Sequence, residues 1–292
     1  MSAQYQGAGG MGPRAARAAA RRAAAAKKRR RLASLAALLV LGLTSLLLWL
    51  FLARDGGDQP PPPPEVIARL TIPEGFTVRQ VARRVEELGI CSAEDFMAAA
   101  TAGDYQLPIL PVEQAGNLEG LLFPKTYDIT ENMQPRDLVR RLLDQFALEA
   151  ASINLERSRE RGITPYQAVI VASLIEREVV VEEERPLVAA VIYNRLRAGM
   201  RLQIDATVQY ALPQWKERLT YEDLKVDSPY NTYLHAGLPP TPICNPGRPS
   251  LEAALAPAQV DYLYYVATGE GGRHFFTADY QEFLRAKNRV SP

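Results

Sequence analysis

Residues Ala168–Val179 read AVIVASLIEREV, a run of small and aliphatic side chains broken only by Ser173 and closed by Glu176, Arg177 and Glu178. Upstream, Thr164, Pro165 and Gln167 supply an N-cap, a first-turn proline and a capping-box partner, so the spacing predicts a helix ending at Glu178. A second helix is predicted over Arg185–Arg197, with Leu187, Val188, Val191 and Ile192 as its apolar positions and Gly199 as its stop. A turn and a short strand, Met200–Asp205, follow. Before the central run, Gln134–Arg159 reads as one long helix with Pro135 near its first turn and Gly162 ending it, and Leu118–Ile129 reads as strand. Further out, Val66–Ile72 suits a short strand. Val78, Val81, Ala82 and Val85 fall at helical spacing, and Ser92 with Asp95 opens a second helix through Met97, giving a small βαα unit. Near the other end, Tyr262–Ala267 and His274–Thr277 flank Gly269–Gly272 as a hairpin. No Lys-Ser or Lys-Thr follows those glycines, so they are not a phosphate loop. The fold class expected is α+β.

The 292 residues leave room for one or two domains plus tails. Leu32–Ala53 is uncharged over 22 residues, long enough to cross a bilayer as a helix, and too long for the apolar region of a cleaved signal. Lys27, Lys28, Arg29, Arg30 and Arg31 precede it, which predicts a cytoplasmic N-terminus and an exported body. Residues 1–31 read as a disordered basic tail, and residues 54–65, with five consecutive prolines, as an extended spacer. Up to Ala53 there are 9 bases and no acid, so the remainder carries 25 bases against 33 acids. An acidic body does not suit a nucleic-acid partner. Cys91 and Cys244 are the only cysteines and His235 and His274 the only histidines, with no metal-ligand spacing among them. Neither a metal nor a cofactor is expected, and whether the cysteines pair stays open.

Three places could carry chemistry. Glu176 follows Ala172 by four residues and Ser173 by three, which sets its carboxylate at the edge of an apolar stripe. A carboxyl group desolvated there suits general acid catalysis of glycosidic cleavage; a helix-end salt bridge with Arg177 or Arg185 is the plainer reading. Asn194, Arg195, Arg201, Gln203 and Asp205 form a polar cluster that could bind sugar hydroxyls or tie the turn at Gly199. The loop Ser228–Gly247 (SPYNTYLHAGLPPTPICNPG), with Tyr230 and Tyr233, reads as a binding loop or a plain connection. Glu119, in LEGLLFP, is a further candidate carboxylate.

Taken together, ASLIERE, NRLRAGMRLQIDATV, the Ser228–Gly247 loop and LEGLLFP resemble the MltG/YceG-like family of membrane-anchored endolytic murein transglycosylases over Val66–Pro292. The resemblance implies a LysM-like subdomain over 66–114 and a larger mixed α/β catalytic domain over 115–292. It implies Glu176 as catalytic acid, with Glu178 as an alternate. Glu119, Asn194, Gln203, Asp205, Tyr230, Asn231 and Thr232 are the candidates for binding the glycan. The family usually has Thr or Ser where Ile204 stands here. The implied reaction breaks the bond between N-acetylmuramic acid and N-acetylglucosamine in nascent peptidoglycan, leaves 1,6-anhydro ends, and needs no cofactor. Partners would be glycan strands, the membrane and peptidoglycan synthases such as penicillin-binding proteins. A noncatalytic glycan-binding scaffold is the alternative. A pyridoxal-phosphate lyase fits less well, because only Lys125, Lys216, Lys225 and Lys287 lie beyond the anchor and none has a recognisable cofactor setting.

Overall fold

The computed structural model describes residues 13–54, 65–101, 105–111, 114 and 116–290. Residues 1–12 of the basic tail and the proline-rich spacer from Asp55 to Pro64 lie outside them. Two compact units divide the chain, residues 1–63 and 64–292.

The first unit contains helix α1, Pro13–Arg54. Within it, Ala24–Phe51 is long and apolar enough to cross a membrane. The helix begins well before the apolar run, so the disorder expected of the basic tail is not found over residues 13–31. Alanine and arginine, which dominate that stretch, are good helix formers.

The second unit is mixed α and β. Strand β1 (Val66–Thr71) pairs antiparallel with β2 (Thr126–Thr130), Leu70 opposite Tyr127, and between them in sequence run helices α2 (Val78–Glu87) and α3 (Ala93–Thr101). The Thr77 hydroxyl accepts from Gln80 N and the Gln80 side chain accepts from Thr77 N, a complete capping box that fixes where α2 starts. Val78, Val81, Ala82 and Val85 turn inward as their spacing predicts. The unit that opens with β1 is therefore completed by a strand beyond residue 114. Only the end of the Leu118–Ile129 stretch is strand: Gly120 at φ 86° and the Leu121 N to Leu118 O bond fold its first half into a turn.

The predicted long helix breaks. Helix α4 (Pro135–Ser152) stops at Ile153, Asn154 adopts φ 52°, and Leu155–Arg161 continues as a 3₁₀ turn up to Gly162. Helix α5 (Pro165–Glu178) starts with the predicted Thr164–Gln167 capping box and is buried from Pro165 to Ile175 except at Gln167. Helices α6 (Arg185–Arg197), α7 (Asp205–Ala211) and α8 (Arg248–Leu255), with Leu155–Arg161, pack around it. Burial of Val169, Val171, Leu174 and Ile175, all at 0% exposure, stabilises this centre by roughly 1.5–3 kcal/mol per side chain. Strands β3 (Tyr264–Ala267) and β4 (His274–Thr277) form the predicted hairpin, and α9 (Tyr280–Val290) follows. Met200–Ile204 is not a strand; Gln203 sits at φ 53° and the chain turns directly into α7. Cys91 and Cys244 are both free thiols.

Candidate active site

The last turn of α5 carries Glu176 out of the core at one point. Its side chain is 7% exposed. The Oε2 atom accepts from Gly247 N at 3.0 Å and faces Arg185 Nη1 at 3.5 Å. Among the described residues Oε1 accepts no hydrogen bond. The plainer reading of the sequence is thus partly met: the Arg185 pair exists, yet it engages one oxygen of a side chain that lies largely out of water. Arg185 is itself held by a bond to Ser250 Oγ at 2.5 Å, from the first turn of α8.

Sequence order explains how Gly247 reaches this carboxylate. Ser173, one turn before Glu176, gives its hydroxyl proton to Ile170 O and accepts from Ile243 N at 3.1 Å, and Cys244 Sγ contacts Ser173 O. The end of the Ser228–Gly247 loop is thereby laid along α5. Asn245, at 0% exposure, joins three segments: its Oδ1 accepts from Leu122 N at 2.9 Å, its Nδ2 donates to Phe76 O at 2.8 Å, and its carbonyl accepts from Gly75 N. The Pro73–Phe76 turn is consequently pressed against the end of α5. A Cβ on Gly75 would lie 3.8 Å from Glu176 Cγ, and one on Gly247 would lie 1.8 Å from Glu74 Oε1, so Glu74 also stands at this point. Burial raises the Glu74 pKa, and the Glu176 charge adds to the rise.

A cleft of about 770 Å³ opens next to this point, with Gly75, Glu119, Arg177, Tyr210 and Trp215 among its walls; Glu176 itself does not line it but adjoins it through Arg177 and Gly75. Glu119 is 5% exposed; it accepts from Val78 N at 3.0 Å, at the start of α2, and from Tyr210 OH at 3.1 Å. Burial pushes its pKa up to about 7 against those two hydrogen bonds. Tyr230 packs its ring on Tyr210, centroids 4.8 Å apart, and its hydroxyl bonds Thr241. Glu119 and Tyr210 therefore form the cleft's inner wall, with Tyr230 packed against Tyr210.

The other candidates are placed differently. Gln203 and Asp205 are exposed, and Asp205 accepts from Tyr233 OH. Thr232 is 2% exposed and stitches this segment down: its hydroxyl accepts from Ile204 N at 2.9 Å and its carbonyl from Gln203 N. Asn231 is 0% exposed and spends its amide on Leu224 O and Val226 O. The side chains of Asn231 and Thr232 build the loop and present no polar atom to a ligand. Asn194 bonds Val260 O and Tyr262 O and lines a separate cleft with Arg197 and Pro257–Asp261. Ile204, 2% exposed, is packed inward. Glu178 accepts from Tyr265 OH at 2.8 Å; burial raises its pKa, and the tie anchors the β3–β4 hairpin to α5.

Sequence reasoning passed over Glu74, Ser173, Asn245 and, as more than an ion-pair partner, Arg185. Asn245 and Gly247 lie inside the loop already singled out, and an Asn-Pro-Gly end was the available cue. Nothing local marks Glu74 as part of a site 102 residues from Glu176 in sequence.

The profile of the YceG-like family matches residues 55–289. A Bacillus subtilis protein named endolytic murein transglycosylase is 39% identical over 173 residues, 59% of this chain and 48% of that protein. One of the same name from Streptococcus pneumoniae is 31% identical over 243 residues, 75% of this chain and 44% of that one. The chain thus spans less than half the length of these curated relatives. A crystal structure of a yceG-like protein from Listeria monocytogenes superposes with a TM-score of 0.67 at 33% identity, covering 76% of each chain. With a family match that runs through β1, α5, the loop and the hairpin, this chain belongs to the YceG-like family.

Proposed function

We propose that this protein is a membrane-anchored endolytic lytic transglycosylase that cuts the bond between N-acetylmuramic acid and N-acetylglucosamine inside nascent peptidoglycan strands. The observation that carries this reading is the division of labour on Glu176: Oε2 is held by Gly247 N–H and faces Arg185, while Oε1 accepts no hydrogen bond among the described residues. A carboxyl group pinned by one oxygen can present the other to a substrate with little further ordering.

In the proposed reaction the Glu176 proton passes to the glycosidic oxygen as the C1–O bond breaks, and the N-acetylglucosamine side leaves with that proton. Positive charge develops at C1 of the muramic acid. The ionised Glu176 then takes the proton of the C6 hydroxyl while that oxygen attacks C1, closing the 1,6-anhydro ring. Water takes no part, and one carboxyl group serves both steps. Proton transfer of this kind contributes about 10² to 10⁴ in rate, so positioning must supply the rest. We assign that positioning to Glu119 at the inner wall and to Gln203 and Asp205 at the surface. Tyr230, Asn231 and Thr232 hold the loop in shape, and Asn194 fixes the connection that leads to β3.

Helix α1 serves in this reading as a single-pass anchor with its basic flank in the cytoplasm and the body on the other side. The β1–α2–α3–β2 arrangement supports a LysM-like unit that adds glycan affinity beside a larger catalytic domain. Cutting within strands close to the membrane would end their elongation, which makes peptidoglycan synthases the expected partners. The test is mass spectrometry of glycan digested by the purified chain. Anhydro-ended products, lighter than hydrolytic ones by one water, are expected; reducing-end products would replace the transglycosylase by a hydrolase, and intact glycan would favour a noncatalytic binder.

A further inference from the structure

The cleft walled by Gly75 and Arg177 carries basic side chains that the proposed proton transfer does not use. Arg79 and Arg83 stand one helical turn apart on α2, and Arg177 stands directly after Glu176; all three line the cleft and all three are exposed. Among the described residues none of them makes an ion pair. Arg177 lies over the ring of Trp215 at 4.7 Å, and Trp215 is itself 63% exposed. Among the described residues the one carboxylate on the cleft's walls, Glu119, is turned inward onto Val78 N and Tyr210 OH. Three guanidinium groups that form no ion pair among the described residues, gathered in a concave site of this size, suit an anionic ligand with more than one charge.

We infer that this cleft is a subsite for the carboxylates of the peptide stem attached to the muramic acid at the cut, read by Arg79, Arg83 and Arg177. The inference rests on the function proposed above and adds a substrate requirement to it. The stem hangs from the sugar whose C1 reacts, so its carboxylates must fall near the catalytic carboxyl, which is where Arg177 and the Gly75 wall lie. A diphosphate at the end of a growing strand is the other anion such a polymer offers. An internal cut falls away from that end, whereas every muramic acid along a nascent strand carries a stem. The apolar walls, Met97, Leu118 and Trp215, suit the aliphatic parts of a peptide.

The chain contains two tryptophans, Trp49 and Trp215. Full-length protein carrying Trp49→Phe and Glu176→Gln, in detergent micelles, therefore reports on this cleft through Trp215 fluorescence without consuming the ligand. It would be titrated with stem-bearing glycan, the same glycan stripped by an amidase, and stem-bearing glycan with its carboxylates converted to methylamides. Stem-bearing glycan is expected to bind about tenfold more tightly than either of the others, with a preference that shrinks as salt is raised. Adding Arg79→Gln and Arg83→Gln should bring that ratio to near one; both side chains are exposed, so the fold is expected to persist, and circular dichroism checks it. Equal affinity for stem-bearing and stripped glycan would overturn the subsite while leaving the glycosidic reaction standing. Displacement of stem-bearing glycan by inorganic diphosphate, with the methylamide form bound as tightly as the parent, would reassign the cleft to phosphate and likewise overturn it. If no glycan binds and the unmutated chain cuts none, the function proposed above falls, and the subsite with it.

Discussion

Glu119 gives a sharp test of how the inner wall is built. Its pKa is raised to about 7 from 4.5, chiefly by burial. The folded state therefore holds this proton more tightly than the unfolded chain does. Stability from this group is fully present below about pH 4.5, falls as pH rises, and is lost once pH passes about 7. At about 1.4 kcal/mol per pH unit, the interval between those two values corresponds to roughly 3 kcal/mol. Glu119→Gln removes the titration and keeps the shape: the amide oxygen can accept from Val78 N, and the amide nitrogen can donate to the Tyr210 oxygen. The variant should match the parent near pH 4.5 and exceed it by up to about 3 kcal/mol at pH 8. With urea slopes of about 1–3 kcal/mol/M, the midpoint gap at pH 8 would reach at least about 1 M. Urea unfolding of the detergent-solubilised chain followed by fluorescence, at pH 5, 6, 7 and 8, measures this. Parallel pH profiles for parent and variant would refute the argument, because they would mean that Glu119 is ionised in the folded state at low pH or reaches water in it.

Two further substitutions probe the scaffold. Gly120→Ala should destabilise the chain by about 2–5 kcal/mol in thermal or urea unfolding, because φ is 86° and the new Cβ would lie 2.5 Å from Pro242 Cβ and Cγ; an unchanged midpoint would contradict the close packing of that turn on the loop. Tyr265→Phe removes a donor from the buried Glu178 carboxyl and should cost about 1–3 kcal/mol, with the loss greater at pH 8 than at pH 5 because the ionised form then lacks its hydroxyl partner; a cost independent of pH would mean that the carboxyl finds another donor.

The sequence carried the parts of this fold that local rules govern. Thr164 and Ser92 mark helix starts because capping depends on residues a few positions apart, and those starts fall where they were read, while Gly162 stops the 3₁₀ turn that follows α4. The stripe of α2 and the run in α5 are inward for the same reason. Elements governed by contacts distant in sequence were not legible. The Gln134–Arg159 pattern has no glycine or proline at its break, which Asn154 makes through a left-handed backbone. The turn at Leu118–Phe123 looks like strand because its leucines are buried; it is held by Asn245, more than a hundred residues away. Helix α7 begins without a conventional cap, its Asp205 and Thr207 already engaged with Tyr233 and Thr232. The same division applies to the site. Glu176 was visible because an acid closing an apolar helix is locally anomalous. Glu74 and Gly247 join it only through tertiary packing, and Asn231 and Thr232, polar residues in an exposed-looking loop, face inward because their side chains satisfy backbone groups around them.

The central claim is that one carboxyl group, Glu176, transfers the proton in both directions. Its most direct test is cleavage of purified glycan strands by Glu176→Gln, with circular dichroism and thermal unfolding confirming the fold and Glu178→Gln run alongside. The substituted amide keeps an oxygen for Gly247 N–H but has no acid proton to give, so the fold should persist, glycan binding should remain, and the yield of anhydro-ended products should drop to the no-enzyme background. Anhydro-ended products from Glu176→Gln at a rate comparable to the parent, or their disappearance only with Glu178→Gln, would remove Glu176 from the reaction.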